Sequence, residues 1–570
     1  MADVVFITPN FNGLVREEPV GTLLLATILK DAGIPADILQ FHHFGDVQNF
    51  ESFIHCAIAK IIEKNPKIVS FYTRCDTYHI SLTIAKRIKQ EREEVAVVFA
   101  GPQADLSCED TLRQIPYVDF ICCGEGETTI VPFFRSLMAG KPDLTIRGLA
   151  YRAGDKIVKN PRPELIADLD TLPTIDYSLL DFNSEGNESK AKYLFPVDVG
   201  RGCPFACTYC STKNFWGRKY RLKSAERIID EIKEIYKRFG VTSFNFEHDM
   251  FTMNREKVIR ICGMLKEIGF PIRWRCSARM DCLDNGLVDV MADAGMEMLF
   301  VGIETGSPRM QKLIHKNLKL DDVYDKLKYI SEKGVKVTAS FIFGFPEETE
   351  EDFSQTIELM VKISKLPHII VQHHLCAFLC GTEMTEKYGH QILRLPVVSD
   401  ISGEVAVKEC EALISQHPSL FPHFYEYKTE FRDKVKYYPN FFRCWRAKWP
   451  VYQYIADKYY KGHLCDMLFA YTAANQEALD AGADWRMMIE QDKFLQEFIE
   501  DEYYDLLTEV HRFLLWQRKA INGGTEVFGF DVDALLKGAE IVELKKILCV
   551  VTYTAKEDGE GNFICRKAFR

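Results

Sequence analysis

Cys203, Cys207 and Cys210 stand in the run Gly-Arg-Gly-Cys-Pro-Phe-Ala-Cys-Thr-Tyr-Cys and deliver three thiols from one tight loop. The spacing C-x3-C-x2-C suits a cubane iron–sulfur cluster, which takes four ligands. A loop that supplies three leaves one iron open, and an open iron is where chemistry can happen. Two plainer readings compete: buried structural cysteines, or three-quarters of a zinc site. Zinc knuckles usually pair two C-x2-C arms, and no second arm lies near this loop.

Further motifs follow in order: Phe215-Trp216-Gly217-Arg218-Lys219-Tyr220-Arg221, Gly302-Ile303-Glu304-Thr305-Gly306-Ser307 and Gly344-Phe345-Pro346-Glu347-Glu348-Thr349. Together with the cysteine loop they resemble the radical SAM superfamily. Their order and spacing are similar to the branch with an N-terminal cobalamin-binding domain, the class B enzymes. The resemblance covers roughly residues 1–395. It implies a [4Fe-4S] cluster on Cys203, Cys207 and Cys210, S-adenosylmethionine (SAM) chelated to the open iron, and bound cobalamin. Tyr209 resembles the aromatic that packs on adenine. Phe246-Glu247-His248-Asp249 falls where the family contacts the SAM amino group, so Glu247 and Asp249 are candidates, although the usual glycine-rich version is absent. The Glu304 carboxylate suits a ribose hydroxyl or the ammonium. Gly344 to Pro346 looks like the loop beside adenine, with Glu347 where the family shows glycine. Arg279 and Asp281 resemble another polar pair of the class.

Those residues need a scaffold, and the apolar pattern supplies one. In residues 1–142 short apolar runs alternate with helical stretches: Val4–Ile7, Ala36–Leu39, Ile68–Phe71, Val95–Ala100 and Val118–Cys122 read as strands. This β-α alternation predicts an α/β, Rossmann-like doubly wound domain, which binds ligands beyond the carboxyl ends of its strands. The loops 9–21, 73–78, 101–105 and 124–127 all fall on that edge. By the resemblance they form the cobalamin site, with Thr73, Arg74, Gly101, Gln103, Gly124, Glu125 and Gly126 as candidate contacts. Arg74 reads either as a lower-face neighbour of the corrin or as an ordinary surface arginine. Gln40-Phe41-His42-His43-Phe44-Gly45 has the spacing of a D-x-H-x-x-G cobalt-binding signature, with Gln in place of Asp. It follows the second strand rather than the first and lacks the carboxylate that orients a metal-bound imidazole. No histidine ligand to cobalt is therefore expected from this domain.

Residues 143–192 read as a linker with a small hairpin at 146–158 and a proline-stiffened extension. Residues 193–395 carry six apolar runs at helix-plus-strand intervals, which predicts a partial (βα)6 barrel with its chemistry at the carboxyl ends of the strands. In the sixth run, period-two alternation separates Val371, His373, Leu375, Ala377 and Leu379 from Gln372, His374, Cys376 and Phe378. The more apolar set should pack on the helices. The other would then line the lumen, with His374 and Cys376 as candidate catalytic groups or simply as barrel filler.

Residues 396–570 match no pattern and read as a mainly helical substrate or cap domain. Aromatics crowd Tyr437 to Tyr460, where they fit core packing or a roof over the barrel. Cys410, Cys444, Cys465, Cys549 and Cys565 lack cluster spacing, so no second iron–sulfur centre is expected. At 570 residues the length prior gives about three or four domains. Hydrophobic residues at 47% and charged residues at 27% give the balance of a soluble globular protein. The formal charge of −11 argues against a nucleic-acid-binding surface. Scattered cysteines, with neither a signal-peptide pattern nor an apolar run of membrane-spanning length, point to a reducing cytoplasm and no integral membrane segment. An open iron also suggests low-oxygen conditions.

The resemblance implies methyl transfer to an unactivated carbon through a 5′-deoxyadenosyl radical and methylcobalamin. The substrate would be a small molecule or peptide, and the electron donor a flavodoxin or ferredoxin. A cyclase or rearrangement enzyme with both cofactors is the alternative. A non-catalytic cobalamin carrier or sensor is a third reading, against which the intact cysteine loop stands.

Overall fold

The computed structural model describes residues 2–8, 20–40, 49–179, 194–393, 408–427 and most of 429–498, with short strands at 555–557 and 563–565. Val4–Thr8 (β1), Ala36–Gln40 (β2), Ile68–Tyr72 (β3), Ala96–Ala100 (β4) and Phe120–Cys122 (β5) pair in parallel in the order β2-β1-β3-β4-β5. Helices cover both faces, which is why the strands read as nearly continuous apolar runs. Helices Phe50–Glu63 and Tyr78–Glu91 pack on one face, Val20–Asp31 and Ile130–Met138 on the other. The order reverses between β1 and β3, which opens a crevice at the carboxyl edge. Residues 9–19 of the first edge loop, and 41–48 with His42 and His43, lie outside the described residues.

Two boundaries differ from the sequence expectation. The hairpin Leu149–Ala153 (β6) and Lys156–Lys159 (β7), expected in a linker after residue 142, extends this sheet antiparallel to β5. Leu149 and Ala150 are fully buried opposite Cys122 and Ile121, so the hairpin completes the core. Residues 408–425, expected in the C-terminal domain that starts at 396, also return here. Cys410, Ile414, Leu420, Phe421 and Phe424 are buried in the same cluster as Tyr78 and Phe99. No local pattern marks that return, because the apolar face it covers lies some three hundred residues earlier in the chain.

The second sheet contains Phe195–Asp198 (β8), Ser243–Glu247 (β11), Arg273–Ala278 (β12), Met296–Glu304 (β13), Lys336–Phe343 (β14) and Ile369–Leu375 (β15). Between the first two, Gly200–Arg201 (β9) and Arg221–Leu222 (β10) form a short antiparallel pair. The six long strands are all parallel, in the order β15-β14-β13-β12-β11-β8, and β8 and β15 remain edges: the barrel is open. Helices carry one apolar stripe towards it. In Ala225–Phe239, Ile228, Ile229, Ile232 and Ile235 are buried. Ser224 caps its first turn through Arg227 N, 3.1 Å, and left-handed Gly240 ends it.

Residues 1–348 and 359–429 form one compact unit, and residues 349–358 and 430–570 a second. The second unit is built on aromatic packing. Tyr438, Phe441, Phe442, Trp445 and Tyr452 are each at most 1% exposed, so these members of the aromatic stretch are core. The apolar pattern reads residues 494–517 as a helix and 547–553 as a strand, and both stretches fall largely outside the described residues. No helix among the described residues is long and apolar enough to cross a membrane.

Candidate active site

The cysteine loop follows β9 at the carboxyl end of the barrel's first strand, and one glycine makes its path possible. Gly202 has φ +86°, and a methyl group there would collide with the Lys219 carbonyl. Its N–H donates to Asp249 Oδ2 at 3.1 Å, and Thr212 Oγ1 donates to Asp249 Oδ1 at 3.3 Å. Asp249, expected at the SAM amino group, thus braces the loop. Burial raises its carboxyl pKa. Further along, Thr208 N donates to the Ile314 carbonyl and Met384 N to that of Thr208.

Among the described residues no three His, Cys, Asp or Glu side chains converge as a single-ion site requires. A cubane binds its ligands at separate iron corners and asks for thiols held apart on one loop, which suits this donor set better than zinc does. Burial pushes the Cys203 thiol up to about 11 and raises that of Cys210. Arg279 Nη1 lies 3.9 Å from Cys207 Sγ, a positive charge against a sulfur that a metal would hold as thiolate. That guanidinium is fixed by Asp281, 2.9 and 2.8 Å, by the Lys316 carbonyl, 2.7 Å, and by the Phe205 ring, 3.7 Å from its centroid. The expected Arg279–Asp281 pair exists, and it supports the loop.

Glu304 ends β13 with φ +69°, where the register against β14 shifts. Its carboxylate pairs with Lys316 Nζ at 2.9 Å, directly over Gly302. A side chain at position 302 would collide with this pair, which explains Gly-x-Glu. Tyr209 lies near both Glu304 and Phe345, 6.0 Å between ring centroids. Burial, then the Glu304 charge, raises its phenol well above the ordinary value. The Gly344–Pro346 loop is tied by Glu348, whose Oε2 accepts from Gly344 N and, at 3.2 Å, from Phe345 N. Glu347 instead faces outward and pairs with Lys387 at 2.7 Å, so the glycine-to-glutamate departure leaves the turn intact. Lys316 escaped the sequence reading, and Phe205 and Glu348 stood in quoted motifs without a role, because nothing in local spacing marks a loop residue that meets a strand end.

His248 is locked in place. Its Nδ1 accepts from Met250 N at 2.8 Å, so Nε2–H donates to the Arg221 carbonyl at 3.1 Å, and burial brings its pKa down to about 4.

The edge of the first sheet turns out differently. Thr73 Oγ1 donates to the Ala100 carbonyl, 2.8 Å, and accepts from Ala104 N, 3.0 Å. Gly101, at φ +93°, lets the chain pass Thr73, whose backbone oxygen a methyl would meet at 2.7 Å. Arg74 lies in the same loop with its guanidinium on Asp76, 3.2 and 2.7 Å. Gly124 N donates to Asp105 Oδ2, 2.9 Å, and Gly126 packs near Leu25.

Two of the expected corrin contacts are engaged within the fold. Gln103 is 4% exposed and spends its amide on the Leu420 carbonyl, 2.9 Å, and Cys380 Sγ, 3.3 Å. Glu125 is a buried hub. It meets Arg201 at 2.7 Å and Arg221 at 2.8 Å, and it accepts from Ile166 N, 2.6 Å. Glu127 adds a second bond to Arg201, 2.6 Å, and the Trp216 ring lies 5.7 and 5.6 Å from the two guanidinium carbons. Burial would lower the Arg201 pKa, but Glu127, Asp198 and Glu125 together hold it above its ordinary value. These ion pairs bolt the first sheet to the base of the cysteine loop.

The barrel has one accessible face. Along β15, Ile369, Val371, His373 and Leu375 are buried, Ile370 and Gln372 are exposed, and His374 is half-buried. In register, Ser340 adjoins Gln372 and Ile342 adjoins His374. His374 therefore stands on the open face. Cys376 does not: β15 ends at Leu375, so the alternation stops one residue short of it. Cys376 is 2% exposed in an apolar cluster with Met310, Phe345 and Phe378, its sulfur 3.4 Å from Met384 Sδ.

Comparison with known proteins agrees with this architecture. Residues 197–360 match the Radical SAM superfamily and residues 14–133 the B12 binding domain. The chain thus carries a B12 binding domain ahead of a radical SAM domain, the pairing of cobalamin-dependent radical SAM enzymes. An uncharacterized methyltransferase of Pyrococcus horikoshii is 32% identical over 307 residues, 54% of this chain and 66% of that protein. An anaerobic magnesium-protoporphyrin IX monomethyl ester cyclase of Cereibacter sphaeroides is 25% identical over 368 residues, 62% of this chain and 59% of that protein. The chain therefore spans less than two thirds of each of these two relatives. The radical SAM methyltransferase TsrM of Kitasatospora setae, solved with cobalamin and a [4Fe-4S] cluster, shares the fold. Its TM-score is 0.56 at 16% identity, over 69% of this chain and 75% of that one.

Proposed function

We propose that the protein is a cobalamin-dependent radical SAM methyltransferase that methylates an unactivated carbon. The observation that carries this reading is the three-thiol loop, seated at the mouth of an open barrel and bolted to a B12-binding sheet through Glu125. In it Cys203, Cys207 and Cys210 hold the cluster, and Arg279 and Asp249 keep their loop in shape. Tyr209, Glu304 and the Gly344–Pro346 loop frame SAM, and the first sheet's crevice takes cobalamin. When bound, these groups supply a radical that removes a substrate hydrogen and a methyl group to replace it. The chain positions the substrate, excludes water and, through His374, offers a proton donor or acceptor on the open face. The electron comes from a flavodoxin or ferredoxin.

Mass spectrometry of products formed from methyl-deuterated SAM tests this. Label in the product supports methyl transfer. A product without label favours cyclisation or rearrangement, the second reading, which the similarity to the Cereibacter sphaeroides cyclase supports. SAM cleavage that survives Cys207→Ala would refute radical chemistry at this loop.

A further inference from the structure

A parallel sheet normally buries both faces, yet one face of this barrel stays accessible and its side chains form a graded surface. Asn245, Arg275 and Met298 share a register row near the amino ends of their strands. Two residues further along, Ser277 and Phe300 are adjacent in the next row, which β14 and β15 continue with Thr338 and Ile370. Phe300 and Ile370 are each 41% exposed, unusual for large apolar side chains in the middle of strands. His374 stands six residues beyond the Arg275 row, counted through its neighbour Ile342 and the β14 residue Lys336.

Arg275 is half-buried on this face and forms no ion pair with any described residue. Its Nε donates to Asn245 Oδ1 at 2.8 Å, and Asn245 Nδ2 donates in turn to Glu247 Oε1. Both ends of the Asn245 amide are thereby fixed. The relay holds one edge of the guanidinium and leaves its two Nη groups for a ligand, the fork geometry that matches carboxylate and phosphate.

We propose that Arg275, oriented by Asn245 and Glu247, anchors the oxyanion of the substrate, a carboxylate or phosphate on a molecule whose apolar body lies against Phe300 and Ile370. This deepens the methyltransferase reading and rests on it for the identity of the open face as the substrate chamber. At about 3.3 Å per residue, six residues of strand separate the Arg275 row from His374 by roughly 20 Å.

Binding of three neutral-pH probes to the anaerobic, cofactor-loaded protein tests this without turnover: 1-naphthyl phosphate, 1-naphthoate and the uncharged 1-naphthol. At least one anion should bind ten or more times tighter than naphthol, and which anion does so decides between phosphate and carboxylate. Arg275→Gln should erase that preference, Arg275→Lys should retain part of it, and Phe300→Ala should weaken all three probes alike. Asn245→Ala, which frees the guanidinium but keeps its charge, should cut the preference several-fold and serves if the glutamine variant does not fold. No anion preference in the wild type, or a preference unchanged in Arg275→Gln or Asn245→Ala, overturns the proposal. Cleavage of SAM by the wild type and its loss in Cys207→Ala are read separately, so failure of the anchor is distinguishable from failure of the chemistry.

Discussion

The two ligand-binding edges of this chain are built from similar vocabulary, glycines and acidic residues after parallel strands, but use it differently. At the barrel mouth, thiols and carboxylates gather about one loop, and Gly202 and Gly302 make room for the groups that hold it. At the edge of the first sheet, Gly101 makes room for Thr73, Gln103 reaches back to Leu420, and Glu125 neutralises two buried arginines. A metal cluster demands particular donor atoms at particular spacing. A broad flat corrin demands a shaped backbone, so the polar side chains on its edge remain available for holding the fold together.

The largest effect should come from Gly202→Ala, which breaks the barrel side of this contrast. The left-handed backbone and the collision with Lys219 together should cost about 3 kcal/mol or more locally, and cluster content should drop below about a tenth of wild type while cobalamin content persists. Iron analysis with cobalamin spectroscopy on one sample checks both. Equal iron in the variant would show that the loop tolerates another path.

His374→Gln should lower coupled product by on the order of a hundredfold while uncoupled SAM cleavage continues, because the side chain faces the open side of the sheet. Cys376→Ser should leave that coupling unchanged and instead lower stability by about 1–3 kcal/mol, since it places a hydroxyl among apolar side chains. Matching losses of coupling in both variants would place Cys376 on the substrate after all.

Glu125→Gln and Gln103→Ala sharpen the comparison from the other edge. The first leaves Arg201 and Arg221 buried without a full countercharge and should cost about 3–5 kcal/mol of unfolding free energy. The second removes one buried hydrogen bond, about 1 kcal/mol. Cobalamin affinity of the folded fraction should be unchanged in both, and a selective loss of that affinity would place the substituted residue at the corrin. In the same spirit, burial holds the Cys203 thiol near 11, so it is protonated at neutral pH and iron must displace its proton. The extent of cluster loading in a fixed time should therefore rise from pH 7 to pH 9, and a flat profile would contradict the burial of this thiol.

The contrast also shows how much of the molecule the sequence displayed. Both parallel sheets were legible, because apolar runs such as Val4–Ile7 and Lys336–Phe343 repeat with helices between them. The cysteine loop and Gly-x-Glu were legible because their chemistry needs neighbours close in sequence. The return of residues 408–425 was not, since Phe421 and Phe424 match an apolar face made by Tyr78 and Phe99, far away in sequence. Nor was the Glu304–Lys316 pair, where the partner sits in an irregular loop. For Cys376 the period of two was sound, but the strand stopped at Leu375.

The central claim is that the cysteine loop and the first sheet are two separate cofactor sites on one chain. Anaerobic reconstitution of the wild type beside the Cys203→Ala/Cys207→Ala/Cys210→Ala variant tests it most directly, with iron, cobalamin and 5′-deoxyadenosine measured on each. The wild type should hold about four irons together with cobalamin and should release 5′-deoxyadenosine from SAM. The triple variant should retain its cobalamin and lose both the iron and the nucleoside. An intact iron–sulfur cluster in the triple variant, or nucleoside formed without one, would contradict the account.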